Sequence, residues 1–91
     1  MEFEWDEAKN ASNRAKHGVD FTLAISFDWS GALIERDDRA EYGEDRFLAR
    51  GYALDGQGYS IVFTLRGPTT RVISIRPFNS KEYSRYDKSE Q

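Results

Sequence analysis

The stretch that decides the fold runs from Arg46 to Arg76, RFLARGYALDGQGYSIVFTLRGPTTRVISIR. Three runs within it, Arg46 to Leu54, Tyr59 to Arg66 and Thr70 to Arg76, are rich in the aromatic and β-branched residues that pack well on a pleated surface. Asp55-Gly56-Gln57-Gly58 and Gly67-Pro68-Thr69 separate them, and both are turn chemistry. The pattern predicts an antiparallel β-meander. Side chains alternate between the two faces of a strand, so parity sorts them. Ile61, Phe63 and Leu65, then Ile73 and Ile75, are the expected core positions, with Ala49, Gly51 and Ala53 fitting opposite them. A three-residue turn at Gly67-Pro68-Thr69 sets Thr64 across from Val72. The other face then carries Arg46, Leu48, Arg50 and Tyr52, then Ser60, Val62, Thr64 and Arg66, then Thr70, Val72, Ser74 and Arg76. In this register Arg46, Arg50 and Arg66 lie toward one end and Arg76 toward the other, and a slip of one residue reverses the faces.

Outward from the meander, Phe3 and Trp5 alternate with Glu2 and Glu4, the pattern of a short strand. Asp6 is a good N-cap for a helix from Asp6 to His17 that Gly18 closes. At roughly 100° per residue, Ala8, Ala11 and Ala15 form a small-residue packing face, with Lys9, Asn13 and Lys16 on another side and His17 at its margin. Asp20 caps a short second helix with Phe21, Ala24 and Ile25 as its apolar face. A turn from Asp28 to Gly31 and a strand from Ala32 to Arg36 follow, then an acidic loop to Asp45. Pro77 ends the last strand, and Asn79 with Glu82 makes a capping-box pattern for a C-terminal helix before a frayed tail from Lys88 to Gln91. The 91 residues are expected to form one α+β domain, 1–91.

Composition narrows the function. With no cysteine there is neither a disulfide framework nor a thiolate metal site. No apolar stretch reaches the length of a membrane span, and the first residues lack the layout of a signal peptide, which points to a cytoplasmic protein with no membrane partner. The net charge of −3 argues against nucleic acid, yet charge placement matters more than its sum. Between Arg46 and Arg76 five arginines face one acid, Asp55, a balance of +4. The acids gather at Glu2 to Glu7 and Glu35 to Asp45. The arginines either build a phosphate-binding surface, for which the planar guanidinium fork suits them, or solubilise sheet edges and pair with the acids of the 35–45 loop. Tyr52 and Tyr59 are available to stack on bases. There is no Gly-rich phosphate loop, no metal-ligand spacing and no nucleophile elbow, and no metal or cofactor is expected. The acidic run has the composition, without the pattern, of a cation site.

Taken together, Phe3-Glu4-Trp5-Asp6-Glu7-Ala8-Lys9-Asn10, Asn13, Lys16-His17-Gly18-Val19, Phe21, Ala24, Arg46, Phe63-Thr64, Arg66, Arg71-Val72-Ile73-Ser74, Arg76-Pro77, Glu82 and Tyr86 resemble the BrnT family of bacterial toxins. The resemblance implies a RelE-like α+β fold with N-terminal helices, an antiparallel sheet and a C-terminal helix. It also implies a ribonuclease that blocks translation and is neutralised by a BrnA-type antitoxin with a ribbon-helix-helix-like DNA-binding part, the complex repressing its own promoter. Operator DNA would be touched only through the antitoxin. Phe78 and Tyr83 depart from the small and basic residues common there, which leaves lower activity or a different antitoxin contact open.

The expected chemistry is metal-independent cleavage of RNA by attack of the 2′-OH on the neighbouring phosphate. Arg46, Arg66 and Arg76 hold the scissile phosphate, and Lys16, Arg50 and Arg71 join Arg66 in binding RNA. Lys9 or His17 moves the proton, histidine being the side-chain type whose ordinary pKa lies near neutrality. Glu82 is a rival base if the last helix leans over the sheet. The competing reading is a non-catalytic adaptor that binds RNA or protein. A small-molecule enzyme is the third, disfavoured by size and the lack of a cofactor motif.

Overall fold

A computed structural model of the chain describes residues 1–86, so the tail expected from Lys88 to Gln91 lies outside the described residues. The elements are β1 (Glu2–Glu4), α1 (Glu7–His17), α2 (Leu23–Ser26), β2 (Leu33–Arg36), β3 (Phe47–Tyr52), β4 (Gly58–Arg66), β5 (Thr69–Pro77) and α3 (Ser80–Arg85). The strands make one five-stranded sheet in the order β1-β5-β4-β3-β2. The meander is antiparallel as expected, but β1 runs parallel to β5, so the sheet as a whole is mixed.

The hairpin between β4 and β5 differs from expectation in two places that cancel. Arg66 pairs with Thr69, so the turn holds only Gly67 and Pro68, with Gly67 at φ 59° where a side chain would be strained. Losing one loop residue puts Thr64 opposite Arg71 instead of Val72. The pairing then jumps from Phe63↔Val72 to Val62↔Ser74, leaving Ile73 as the extra residue of a β-bulge. Beyond the bulge the expected register returns. Val72 and Thr70 therefore turn into the core, at 1% and 2% exposure, while Ile73 is only half-buried. Leu65, also expected inside, projects past the packed region and is 57% exposed.

One core lies on the face carrying Ala49, Tyr59, Ile61, Phe63, Val72 and Ile75, closed by Val19, Phe21, Ala24 and Phe27. Trp29 packs edge-on to Phe27 and Phe63 and donates its indole N–H to the Ala24 carbonyl at 2.9 Å. Tyr59 belongs to this core, with its hydroxyl on Asp55 at 2.6 Å and its pKa pushed up to about 12 by burial and that bond, so it is not free to stack on bases.

The helix ends match their local signals. Asp6 accepts from the Lys9 N–H at 3.0 Å, and Gly18 closes α1 at φ 71°. Asn79 and Glu82 form the full capping box of α3. Asp20 accepts from the Thr22 N–H at 2.9 Å, but the helix proper starts only at Leu23, and Ile25 points outward at 68% exposure. The packing face of α1 also differs from expectation. Ala8, Ala11 and Ala15 are exposed, and Asn10 and Asn13 are the buried residues of the helix. The reason is an unpaired strand edge. β1 pairs with β5 only from Thr69 to Arg71, which leaves the backbone at Ile75 without a strand partner on that side. The Asn13 amide supplies one, donating to the Ile75 carbonyl at 2.8 Å and accepting its N–H at 3.2 Å. Asn10 accepts the Phe21 N–H at 2.9 Å. Buried backbone groups need such partners, and an amide offers a donor and an acceptor together.

Candidate functional site

The helix α3 lies across the sheet face opposite the core. Register brings three residues into one row there: Arg50 pairs with Ser60, and Ser60 with Arg76. Arg50 and Arg76 thus flank β4 from either side, with Cα atoms roughly 10 Å apart from the usual strand spacing. Arg50 belongs with Arg76, a correction to its expected grouping with Arg46 and Arg66. Glu82 sits over the row. Its carboxylate accepts Arg76 Nη1 at 2.6 Å and Nη2 at 3.0 Å, Ser60 Oγ at 3.1 Å and the Asn79 N–H at 3.0 Å. Hydrogen bonding from Arg76 outweighs burial and holds its pKa down to about 2. A group that is ionised at that pH and surrounded by donors is a poor proton acceptor, which argues against Glu82 as the base although α3 leans over the sheet.

Arg50 is held differently. It donates to Glu35, lies 5.4 Å from the Tyr86 ring centroid, and its Nε is 3.7 Å from Glu82. That Nε is buried and has no hydrogen-bond partner among the described residues. An aromatic cluster fixes α3 in place. Phe78 packs on Tyr52 and Tyr83, and Tyr52 donates to the Tyr86 carbonyl at 2.9 Å. Gly58 makes room for it: a Cβ there would lie 2.2 Å from Phe78 Cδ2. Tyr83 accepts the Gly58 N–H at 3.0 Å. Phe78 and Tyr83 therefore meet on one glycine and dock the helix.

A shallow depression of about 200 Å³ lies between α1 and β5, lined by Lys9, Lys16, His17, Ile73 and Ser74 among others. Ser74 faces the same way as Arg76, two residues on, so this groove adjoins the arginine row along β5. Lys9 and Lys16 are exposed and His17 is half-buried. Lys9 and Lys16, four and three positions from Asn13, share its side of α1 and so border the strand.

At the far end, Arg46 stacks 4.2 Å from the Tyr42 ring centroid and reaches Glu44 at 3.4 Å, and Arg66 reaches the same Glu44 at 3.6 Å. Arg46 precedes β3 and lies four positions before Arg50, about 13 Å along the strand direction, and the two guanidinium groups sit on different carboxylates, Glu44 and Glu35. Arg71 pairs with Glu4 at 2.5 Å. All five meander arginines therefore have a carboxylate partner. The acids that are separate in sequence return to the arginines in space, so the face is an ion-pair lattice and not an uncompensated basic patch. Within the acidic loop, Asp37 is buried and accepts two bonds from the Arg39 side chain and one from Tyr42, with Arg39 chiefly holding its pKa near 2. Among the described residues no three His, Cys, Asp or Glu side chains group as metal ligands do. None of their helices is long and apolar enough to cross a membrane.

Sequence reading missed Ser60 and the aromatic dock. The signal for Ser60 was present in its cross-strand partners, since the expected register already set it opposite Arg76. Chemically, the row offers two guanidinium groups above a strand, one locked by a carboxylate, beside a groove holding a histidine and two lysines. That is a setting for binding a phosphodiester and moving protons next to it.

The model of the family described as "Ribonuclease toxin, BrnT, of type II toxin-antitoxin system" matches residues 5–82. The crystal structure of the Brucella abortus ribonuclease toxin BrnT is similar at 30% identity and a TM-score of 0.72, covering 88% of this chain and 99% of that one. No curated protein matches by sequence.

Proposed function

The chain belongs to the BrnT family of ribonuclease toxins of type II toxin-antitoxin systems, and from that premise we propose that it cuts single-stranded RNA internally, without a metal ion, at the α3 end of its sheet. The observation that carries this is the Arg50–Ser60–Arg76 row with Arg76 clamped by Glu82. In the proposed reaction the 2′-oxygen forms a bond to phosphorus and the bond to the 5′-oxygen breaks, leaving a 2′,3′-cyclic phosphate and a 5′-hydroxyl. Arg76 stabilises the charge that grows on the non-bridging oxygens, a term that is large when the donor is held in advance. Glu82 is the group that holds it. Lys9 and His17 exchange protons with the 2′- and 5′-oxygens from the adjoining groove, and Lys16 and Arg50 steady the chain. Arg46, Arg66 and Arg71 contact phosphates further along. The Glu44 contacts are long and Glu4 is 40% exposed, which leaves both carboxylates open to displacement by a phosphate.

We assign residues 1–91 to a single RelE-like toxin domain in the cytoplasm. Its activity is neutralised by a BrnA-type antitoxin, and the complex represses its own promoter with DNA held through the antitoxin. One observation favours the second reading, a non-catalytic adaptor: every meander arginine is already paired. Incubating the purified protein with RNA in EDTA decides between them. Cleavage with cyclic phosphate ends is expected. Activity that vanishes in EDTA and returns with magnesium overturns the metal-independent scheme, and tight RNA binding with no decay establishes the adaptor.

A further inference from the structure

Away from the arginine row, the molecule carries an apolar strip across α2. A depression of about 450 Å³ between the N-terminal strand and α2 is lined by Met1, Phe3, Trp5, Ile25 and Trp29. A second, of about 400 Å³, shares Ile25 and continues to Leu54. Met1, Ile25 and Leu54 are 76%, 68% and 90% exposed, among the largest apolar exposures in the chain. Patches of this kind mark interaction sites more often than scattered apolar residues do.

The charge around the strip is one-sided. Neither depression is lined by Lys or Arg, and Asp28 lines the second, while Glu2 and Glu4 alternate with Phe3 and point to the other face of β1. Glu4 is paired with Arg71, whereas Glu7 accepts the Trp5 indole N–H at 2.7 Å and so stands at the rim. The strip also runs to the functional end of the sheet, because Tyr52 lines the second depression and donates to the Tyr86 carbonyl beside α3.

We propose that this acid-rimmed apolar strip, and not the arginine face, is where the antitoxin docks, through an amphipathic segment whose apolar side chains fill the two depressions and whose flanking Lys and Arg meet the rim. Complementary charge of this kind guides association and fixes orientation. The assignment rests on reading the chain as a toxin with a protein antitoxin, and it leaves the RNA-binding residues outside the contact.

The test uses the purified chain, its Ile25→Asp/Leu54→Asp variant and the purified product of the gene adjoining the toxin gene. Both positions are exposed, so the variant is expected to keep the wild-type Tm and ribonuclease rate. Its affinity for the adjoining gene's product should fall by about 100-fold, the size of effect seen for buried apolar anchors, and growth arrest should no longer be suppressed. Wild-type binding should weaken between 100 and 500 mM salt, about a threefold to tenfold loss. Binding of the variant within threefold of wild type overturns the proposal. So does failure of the wild type to bind that product. A wild-type dimer that the double substitution splits, with neutralisation unchanged, makes the strip a contact between copies and also overturns it. An inactive wild type that still loses its partner on substitution sinks the ribonuclease scheme and leaves the docking site standing.

Discussion

The two ends of the arginine face hold the same residue type in opposite ways. At the α3 end, Arg76 is gripped by both oxygens of a carboxylate that is itself fixed by Ser60 and the Asn79 backbone. At the other end, Arg46 and Arg66 share Glu44 at 3.4 and 3.6 Å, longer contacts than those that hold Arg76. Position in sequence does not distinguish them. The difference comes from what stands behind the carboxylate, and it teaches that orientation, more than charge, sets the two ends apart.

The largest expected effect is Arg76→Ala, which should lower kcat for RNA cleavage by about 10²–10³-fold, as losing one preorganised donor does elsewhere. Steady-state kinetics on a defined oligonucleotide checks this, and a loss confined to KM would remove Arg76 from the transition state. Glu82→Gln comes next. It keeps the acceptor for the cap but not the charge, and should slow kcat about tenfold with a stability loss of about 1–2 kcal/mol, since Arg76 is 40% exposed. Gly58→Ala should destabilise by about 1–3 kcal/mol by driving a Cβ into Phe78, and adding Phe78→Ala should return part of the Tm. Arg66→Ala should change kcat by less than about threefold and stability by less than about 0.5 kcal/mol. If it matches Arg76→Ala, the contrast between the two ends collapses.

Acid titration sharpens the same contrast. The Glu82 carboxyl is lowered from its ordinary 4.5 to about 2, and Asp37 from 3.8 to about 2. Groups depressed in the folded state add stability above their unfolded pKa and lose it as pH falls through the folded one. Wild type should therefore keep its full Tm above about pH 5 and lose it progressively toward pH 2. Glu82→Gln should be less stable at neutral pH and show a shallower loss, its curve approaching wild type at the acid end.

Much of the fold was legible because its signals are local. Asp6 and Gly18 bound α1, and Asn79 with Glu82 opens α3, since a cap joins neighbours three or four residues apart. The three meander runs were legible for the same reason. What stayed hidden was set by distant partners. Asn10 and Asn13 look like a wet helix face until a strand edge needs an amide, and that burial displaced the alanines. The bulge at Ile73 leaves no mark in composition, yet it moved Val72 into the core. The site was half legible. The arginines and Glu82 could be named, but the grouping of Arg50 with Arg76 needed the register traced through Ser60, and the pairing of every meander arginine needed the acids placed in space.

The measurement that bears most directly on the central claim is a double-mutant cycle on the cleavage rate, comparing Arg76→Ala, Glu82→Gln and the pair together. If Glu82 acts only by holding Arg76, the double variant cleaves no more slowly than Arg76→Ala alone. If the two losses multiply, Glu82 has a role of its own in the reaction, and the account of a carboxylate that clamps a guanidinium is wrong.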